Sequence, residues 1–259
     1  MDNADFSTSP RFAVVAAMQE EVSHILEHMQ SPQCERIAGR NFWTATFQGH
    51  AIVIVLSGIG KVAAAITATT LIERFKVNEI LFTGVAGSIS ASVAVGDLVV
   101  GTHLIQHDMD ASPLFPRYVV PGFDGASFTA DPEMSSRLTR ASLKVLMQLE
   151  QEISSEIVYR FKLQSTKVHE GLILSGDQFV SNDIVRCELG KAHPSALVVE
   201  MEGAAVAQVC KDYGVAFAVM RTVSDAAGEQ AAKDFAEFLN CVASPYSALI
   251  VEAYLSNTA

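Results

Sequence analysis

Apolar runs of strand length recur along this chain, and helix-forming segments separate most of them. "RFAVVAA" (11–17), "AIVIVLS" (51–57), "EILFTG" (79–84) and "AFAVMRTVSD" (216–225) are short, continuous and rich in β-branched residues, the pattern of strands buried on both faces. Between them, "KVAAAITATTLIERF" is a helix apolar almost all round, and "DPEMSSRLTRASLKVLMQLEQ" is amphipathic at helical spacing. Strands and helices that alternate in this way bury their apolar faces together in an α/β architecture with a parallel or mixed central sheet. No linker-like stretch or internal repeat interrupts the pattern, so one domain is expected over 11–259, behind a loose tail at 1–10. Other expected parts are a hairpin through Gly49-His50, an acidic helix "QEEVSHILEHM", a long loop over 111–135 and a last helix from about Asp234.

Hydrophobic residues make up 49% of the chain and charged residues 18%, which suits a packed core and not a disordered chain. The net charge of -11 argues against nucleic-acid binding, which needs clustered Lys and Arg. No apolar run reaches the roughly 20 residues of a membrane helix. The start, "MDNADFSTSPR", has no apolar segment of the signal-peptide kind. Cys34, Cys187, Cys210 and Cys241 stand far apart without a CxxC pair, which fits reduced thiols in a cytoplasmic protein better than disulfides or zinc.

The unusual residues are acids at strand ends. Glu20 and Glu21 follow the first strand, Glu200 and Glu202 flank the end of "VVEMEGAAVA", and Asp225 closes "MRTVSD". Open α/β sheets bind ligands in the crevice beyond strand carboxyl ends. Two carboxyls in different surroundings there supply a general acid and a general base. The competing explanation is helix capping, since an acid at a helix start is favoured by the macrodipole.

The glycine turns are less specific. "SGIGKV" lacks the third glycine of a dinucleotide fingerprint, and Val62 stands where a Walker loop carries Ser or Thr. "TGVAGSI" (83–89) is either a tight strand-to-helix turn or a place where backbone N–H groups approach a ligand. His103, His107, Asp108 and Asp110 in "HLIQHDMD" suggest a metal site, but strand alternation separates Asp108 from the two histidines, and no metal is expected.

Taken in order, "AAMQEEV", "SGIGKVAAA", "TGVAGSI", "VGDLVV", "SGDQFV", "VEMEGAAVA" and "RTVSD" closely resemble the 5'-methylthioadenosine/S-adenosylhomocysteine nucleosidases of the nucleoside phosphorylase superfamily. The resemblance implies a single α/β domain with a mixed, partly barrel-like sheet. It also implies a homodimer, no metal or organic cofactor, and hydrolytic release of adenine from 5'-substituted adenosines in methionine salvage. By the same resemblance, Glu21 activates water, Glu202 binds the ribose hydroxyls, and Asp225, supported by Ser224, acts at purine N7. Phe179 and Val180 form the adenine shelf, Met201 lies against sugar and base, and Ile59, Gly87 and Phe235 line the pocket. Val85 stands where some members carry Ser, and Arg221 and Glu200 support the site. The 109–123 loop of one subunit completes the other's site.

That set of acids answers to the chemistry. Glycosidic cleavage builds oxocarbenium character on the ribose, adenine is a poor anionic leaving group, and water is a weak nucleophile. A carboxylate is required for each problem. The rivals are a phosphorolytic relative, a non-catalytic nucleoside-binding protein and a dinucleotide-dependent oxidoreductase. An acid at Glu21 repels phosphate, all three acids are kept, and the glycine fingerprint is incomplete.

Overall fold

Strand β1 (Arg11–Ala16) lies inside the sheet because after Arg11 it has no polar side to show: Ala13, Val14, Val15 and Ala16 are all fully buried. The computed structural model describes residues 11–19, 23–27, 29–148, 153–225 and 235–256. On one side of β1 lies β4 (His50–Leu56), parallel to it, and then β3 (Arg40–Phe47) and β2 (Gln30–Ile37), each antiparallel to its neighbour. On the other side lie β5 (Val77–Phe82) and β11 (Ala216–Asp225), both parallel to β1.

From β11 the sheet continues through β6 (Val85–Ser88), β10 (Ala196–Glu200), β9 (Val168–Ser175), β7 (Leu98–Gln106) and the short β8 (Ser127–Thr129). Because β7 also pairs antiparallel with β11, strands β11, β6, β10, β9 and β7 close into a five-strand ring. The sheet is therefore mixed and partly barrel-like, as expected.

Within this ring, glycine makes room for bulky side chains on the neighbouring strands. Gly101 on β7 is paired with Gly171 on β9. A Cβ at Gly101 would meet Val219 at 2.6 Å and Ile173 at 2.9 Å, and one at Gly171 would meet Leu197 at 2.7 Å.

Helices cover both faces. The first is α1 (Ser23–Glu27), then α2 (Lys61–Phe75), α3 (Pro132–Met147), α4 (Ser155–Arg160) and α5 (Asp183–Ala192). They are followed by α6 (Gly203–Tyr213), α7 (Phe235–Phe238) and α8 (Ser244–Ser256), the last two joined by a π-helical turn at Leu239–Ala243. One core layer packs α3 and α8 against the sheet through residues such as Leu138, Ile250 and Tyr254, and the other packs α2 and α6 through Leu71, Ala204 and Val206. Asp131 caps α3 by accepting from the Met134 amide at 2.8 Å.

Three readings change. No strand was expected at 30–37, because its residues are polar and largely exposed; it is an edge strand with Pro32 in it, held by backbone pairing. "TGVAGSI" is not a strand-to-helix turn: it contains β6, held between β10 and β11. The expected 111–135 loop is shorter, since β8 pairs with β7 and α3 begins at Pro132. The 1–10 tail lies outside the described residues.

Replacing Gly101 by Ala should overpack the ring and destabilise the fold by about 1–3 kcal/mol. A thermal melt should show Tm lowered by several degrees; an unchanged Tm would mean that Val219 and Ile173 relax without cost.

Candidate active site

Helix α6 starts inside the protein, so its first amides need internal acceptors. Glu202 occupies the capping position, yet its side chain makes no capping hydrogen bond. Glu200 caps instead. Its carboxylate accepts from the amides of Glu202 at 3.1 Å and Gly203 at 2.9 Å, while Ser175 Oγ accepts from the amide of Ala204 at 2.8 Å and donates to Glu200 Oε1. Arg221 completes the arrangement with a 2.7 Å bond to Glu200 Oε2, both side chains being 2% exposed. The Arg221 guanidinium also donates to the carbonyls of Phe82 and Met220 and lies 4.2 Å from the centre of the Phe82 ring. The capping and supporting roles expected near this helix thus fall to Glu200 and Arg221.

Released from capping, Glu202 turns to a cavity of about 150 Å³, far larger than the ~10–15 Å³ one water needs. Its Oε1 accepts the Gly60 amide at 2.7 Å. That amide is presented by the turn after β4, where Gly60 has φ +97°, a conformation suited to glycine. Asp225, at the end of β11, lines the same cavity and is 8% exposed; Ser224 Oγ donates to its Oδ2 at 2.7 Å. The carboxyl ends of β10 and β11 meet across β6, where Gly87 is paired with both Val199 and Asp225.

The lining also includes Ile59, Val85, Gly87, Phe179, Val180 and Met201, so these residues, far apart in the chain, face one space. Phe179 is 52% exposed at the mouth, while Val180 is buried in the wall. Glu21 lies outside the described residues, as does the side chain of Phe235. Sequence reasoning missed Ala17, Met18, Ala86 and Gln178, all of which line the cavity from within the quoted motifs.

The "HLIQHDMD" residues take separate partners. Strand β7 ends at Gln106, so alternation does not govern His107 or Asp108. His103 is exposed, Asp108 pairs with Lys61, and Asp110 with Arg117. His107 is buried, its ring so close to Gly176 that a Cβ there would overlap it. His107 Nε2 and His193 Nε2 have no hydrogen-bond partner among the described residues.

A scan of family models matches residues 11–256 to the Phosphorylase superfamily. A 5'-methylthioadenosine/S-adenosylhomocysteine nucleosidase of Shewanella halifaxensis is 33% identical over 245 residues, covering 95% of this chain and 98% of the relative. The crystal structure of the Neisseria meningitidis nucleosidase of that name, in complex with methylthio-immucillin-A, superposes with a TM-score of 0.83 at 31% identity, covering 96% of this chain and 99% of the other. The native structure of futalosine hydrolase of Helicobacter pylori reaches 0.80 at 29% identity, covering 94% and 97%. Within the superfamily, the chain belongs to the 5'-methylthioadenosine/S-adenosylhomocysteine nucleosidase family.

Two outcomes are expected. Arg221→Met leaves the Glu200 charge buried without its partner and should cost about 3–5 kcal/mol of stability. Urea denaturation measures it, and a parent-like midpoint would make the pair dispensable. Burial lowers the pKa of both His107 and His193 from the ordinary 6.5, with Asp108, Lys61, Glu200 and Arg117 as the charged groups around them. A depressed histidine pKa favours the neutral ring in the folded state, so its stability is complete above 6.5 and lost as pH falls through the folded value. Tm should therefore fall between about pH 7 and about pH 5, and His193→Gln should flatten that slope. A slope unchanged by the substitution would clear His193.

Proposed function

We propose that this chain hydrolyses the N-glycosidic bond of 5'-methylthioadenosine and S-adenosylhomocysteine, releasing adenine and the 5'-substituted ribose. The observation that carries the proposal is the pair of buried carboxyls, Glu202 and Asp225, facing one cavity from different surroundings. The names of the relatives support the same reaction.

Glu202, steadied by the Gly60 amide, binds the ribose hydroxyls, and its charge stabilises the sugar as cation character grows. Asp225 delivers a proton to purine N7, so that adenine departs neutral; the Ser224 hydroxyl orients the carboxyl by bonding its other oxygen. Phe179 stacks on the base and Val180 reads its edge through the backbone, while Met201 packs against sugar and base. Ile59, Val85, Gly87 and Phe235 line the pocket. Glu21 takes the proton of the attacking water on the opposite sugar face, as an inverting glycosidase base does. No metal or organic cofactor enters this chemistry.

The working form is a cytoplasmic homodimer in which the 109–123 loop of one subunit covers the 5'-substituent of the other. Leu114 is 84% exposed and Phe115 42% exposed on that loop, apolar groups suited to a thioether tail. Met109 and Phe123 pack against this chain's own core and hold the loop's two ends. The likeness to futalosine hydrolase supports a second substrate, an aminofutalosine bearing the same adenine.

The parent enzyme should release adenine and free methylthioribose from methylthioadenosine at the same rate with and without phosphate. A strict phosphate requirement with a sugar-1-phosphate product would replace the hydrolytic reading by phosphorolysis. Asp225→Asn should lower kcat by at least ~100-fold with little change in substrate binding. Near-normal turnover would move the acid to another residue.

A further inference from the structure

Helix α2 begins with Lys61, a cation at the positive end of the helix dipole, and its first turn has no acidic residue. A lysine there opposes the helix's own electrostatics and calls for a compensating partner. Two carboxylates from other segments supply it. The Lys61 amide donates to Asp177 Oδ1 at 2.7 Å, and the Asp177 amide donates to Asp108 Oδ2 at 2.9 Å. The Lys61 ammonium closes the circuit, donating to Asp108 Oδ1 at 2.6 Å and to Gln106 Oε1 at 3.1 Å. Gln106 in turn donates to Gln208 on α6 at 2.7 Å.

This circuit sits against the cavity on two sides. Gly60, one residue before Lys61, gives its amide to Glu202. Asp177 lies two residues before Phe179 and three before Val180, both of which line the cavity. The approach is close: a Cβ on Gly60 would stand 3.0 Å from Asp177 Oδ1. Exposed ion pairs contribute little, but Lys61 is only 17% exposed and its charge is held by two acceptors. Burial alone raises the pKa of Asp108; the hydrogen bonds from Lys61 and the Asp177 amide, with the ammonium's charge, more than reverse this and hold the carboxyl below its usual range.

We propose that Lys61 is a positioning residue that locks the Gly60–Glu202 wall and the Phe179–Val180 wall into one rigid unit, so that the ribose and base subsites hold a fixed separation. The assignment of those subsites rests on the nucleosidase reading; the mechanical coupling rests on the hydrogen-bond circuit. Gripping the ribose as charge develops requires Glu202 to be preorganised, and small displacements of such groups cost rate steeply.

The test compares the parent with Lys61→Met, Asp108→Asn and the double variant. Lys61→Met should weaken binding of adenine itself several-fold and lower kcat/KM for methylthioadenosine by about 10–100-fold. The advantage of the ribose substrate over its 2'-deoxy analogue should shrink, because Glu202 loses its fixed place. Asp108→Asn should do the same, and the double variant should be little worse than either, the non-additivity of a shared circuit. Hydrogen exchange at the Gly60, Lys61 and Asp177 amides should accelerate by about tenfold while the interior of α6 stays protected. Lys61→Met with parental amide exchange overturns the coupling, whatever the substrate proves to be. Faster exchange with parental adenine affinity and an unchanged ribose-to-deoxyribose ratio overturns the positioning role. Failure of the parent to release adenine overturns the nucleosidase reading and leaves the exchange experiment to decide the coupling.

Discussion

The ion pair between Glu200 and Arg221 is the constraint on which the site depends. Two charged groups at 2% exposure are costly to bury, and their attraction with the further hydrogen bonds that each makes offsets that cost. Glu200 satisfies two amides at the start of α6 and the Ser175 hydroxyl as well as Arg221. Since β10 leads straight into α6, this one carboxylate fixes where the strand ends and how the helix departs. Glu202 is then left with a carboxylate that the helix does not need. An acid at a helix start is normally consumed by capping, and here a neighbour two residues earlier takes that duty.

The closed ring makes the second contribution. β10 and β11 both pair directly with β6, which brings their carboxyl ends together there, and pairing of β7 with β11 closes these strands into the ring. Gly101 and Gly171 give up side-chain volume to Val219, Ile173 and Leu197 on the strands beside them. The cavity lies at the carboxyl ends of β10 and β11, with largely apolar walls and the buried carboxyls of Glu202 and Asp225 turned to it beside the Arg221-paired Glu200. Such surroundings strengthen interactions between the acids and developing charge, since little water screens them.

The Lys61 circuit adds a third level, in which residues that do not line the cavity hold those that do. Lys61 is a charged residue at a helix start, and Asp108 and Asp177 lie in turns, places where solvation is the ordinary fate of a charge. Here the Lys61 ammonium pairs with Asp108, and backbone amides donate to the other Asp108 oxygen and to Asp177 Oδ1, across segments more than 40 residues apart in sequence. Their shared role is to keep loop backbone, which carries the Gly60 amide and Phe179, as well placed as strand backbone.

The alternation of apolar runs with helical segments was enough to define a single α/β domain, because buried strands must be apolar and amphipathic helices must cover them. β2 escaped that logic: an edge strand is held by its backbone, so "QSPQCERI" carries no apolar signature. Acids following apolar strands marked Glu202 and Asp225 as candidates, since charge at the end of a buried strand is expensive unless it has a task. Local pattern could not separate Glu200 from Glu202, because the two share a composition and differ only in direction. That choice belongs to the tertiary structure, which brings Arg221 and Ser175 to one carboxylate and the Gly60 amide to the other. In the same way, "HLIQHDMD" fixed the residue types, but where β7 ends decided that His107 is buried against Gly176 and Asp108 faces Lys61. Sequence determined which residues could be inside and which were costly there; long-range pairing alone determined which partner each costly residue met, because partners distant in the chain leave no local trace.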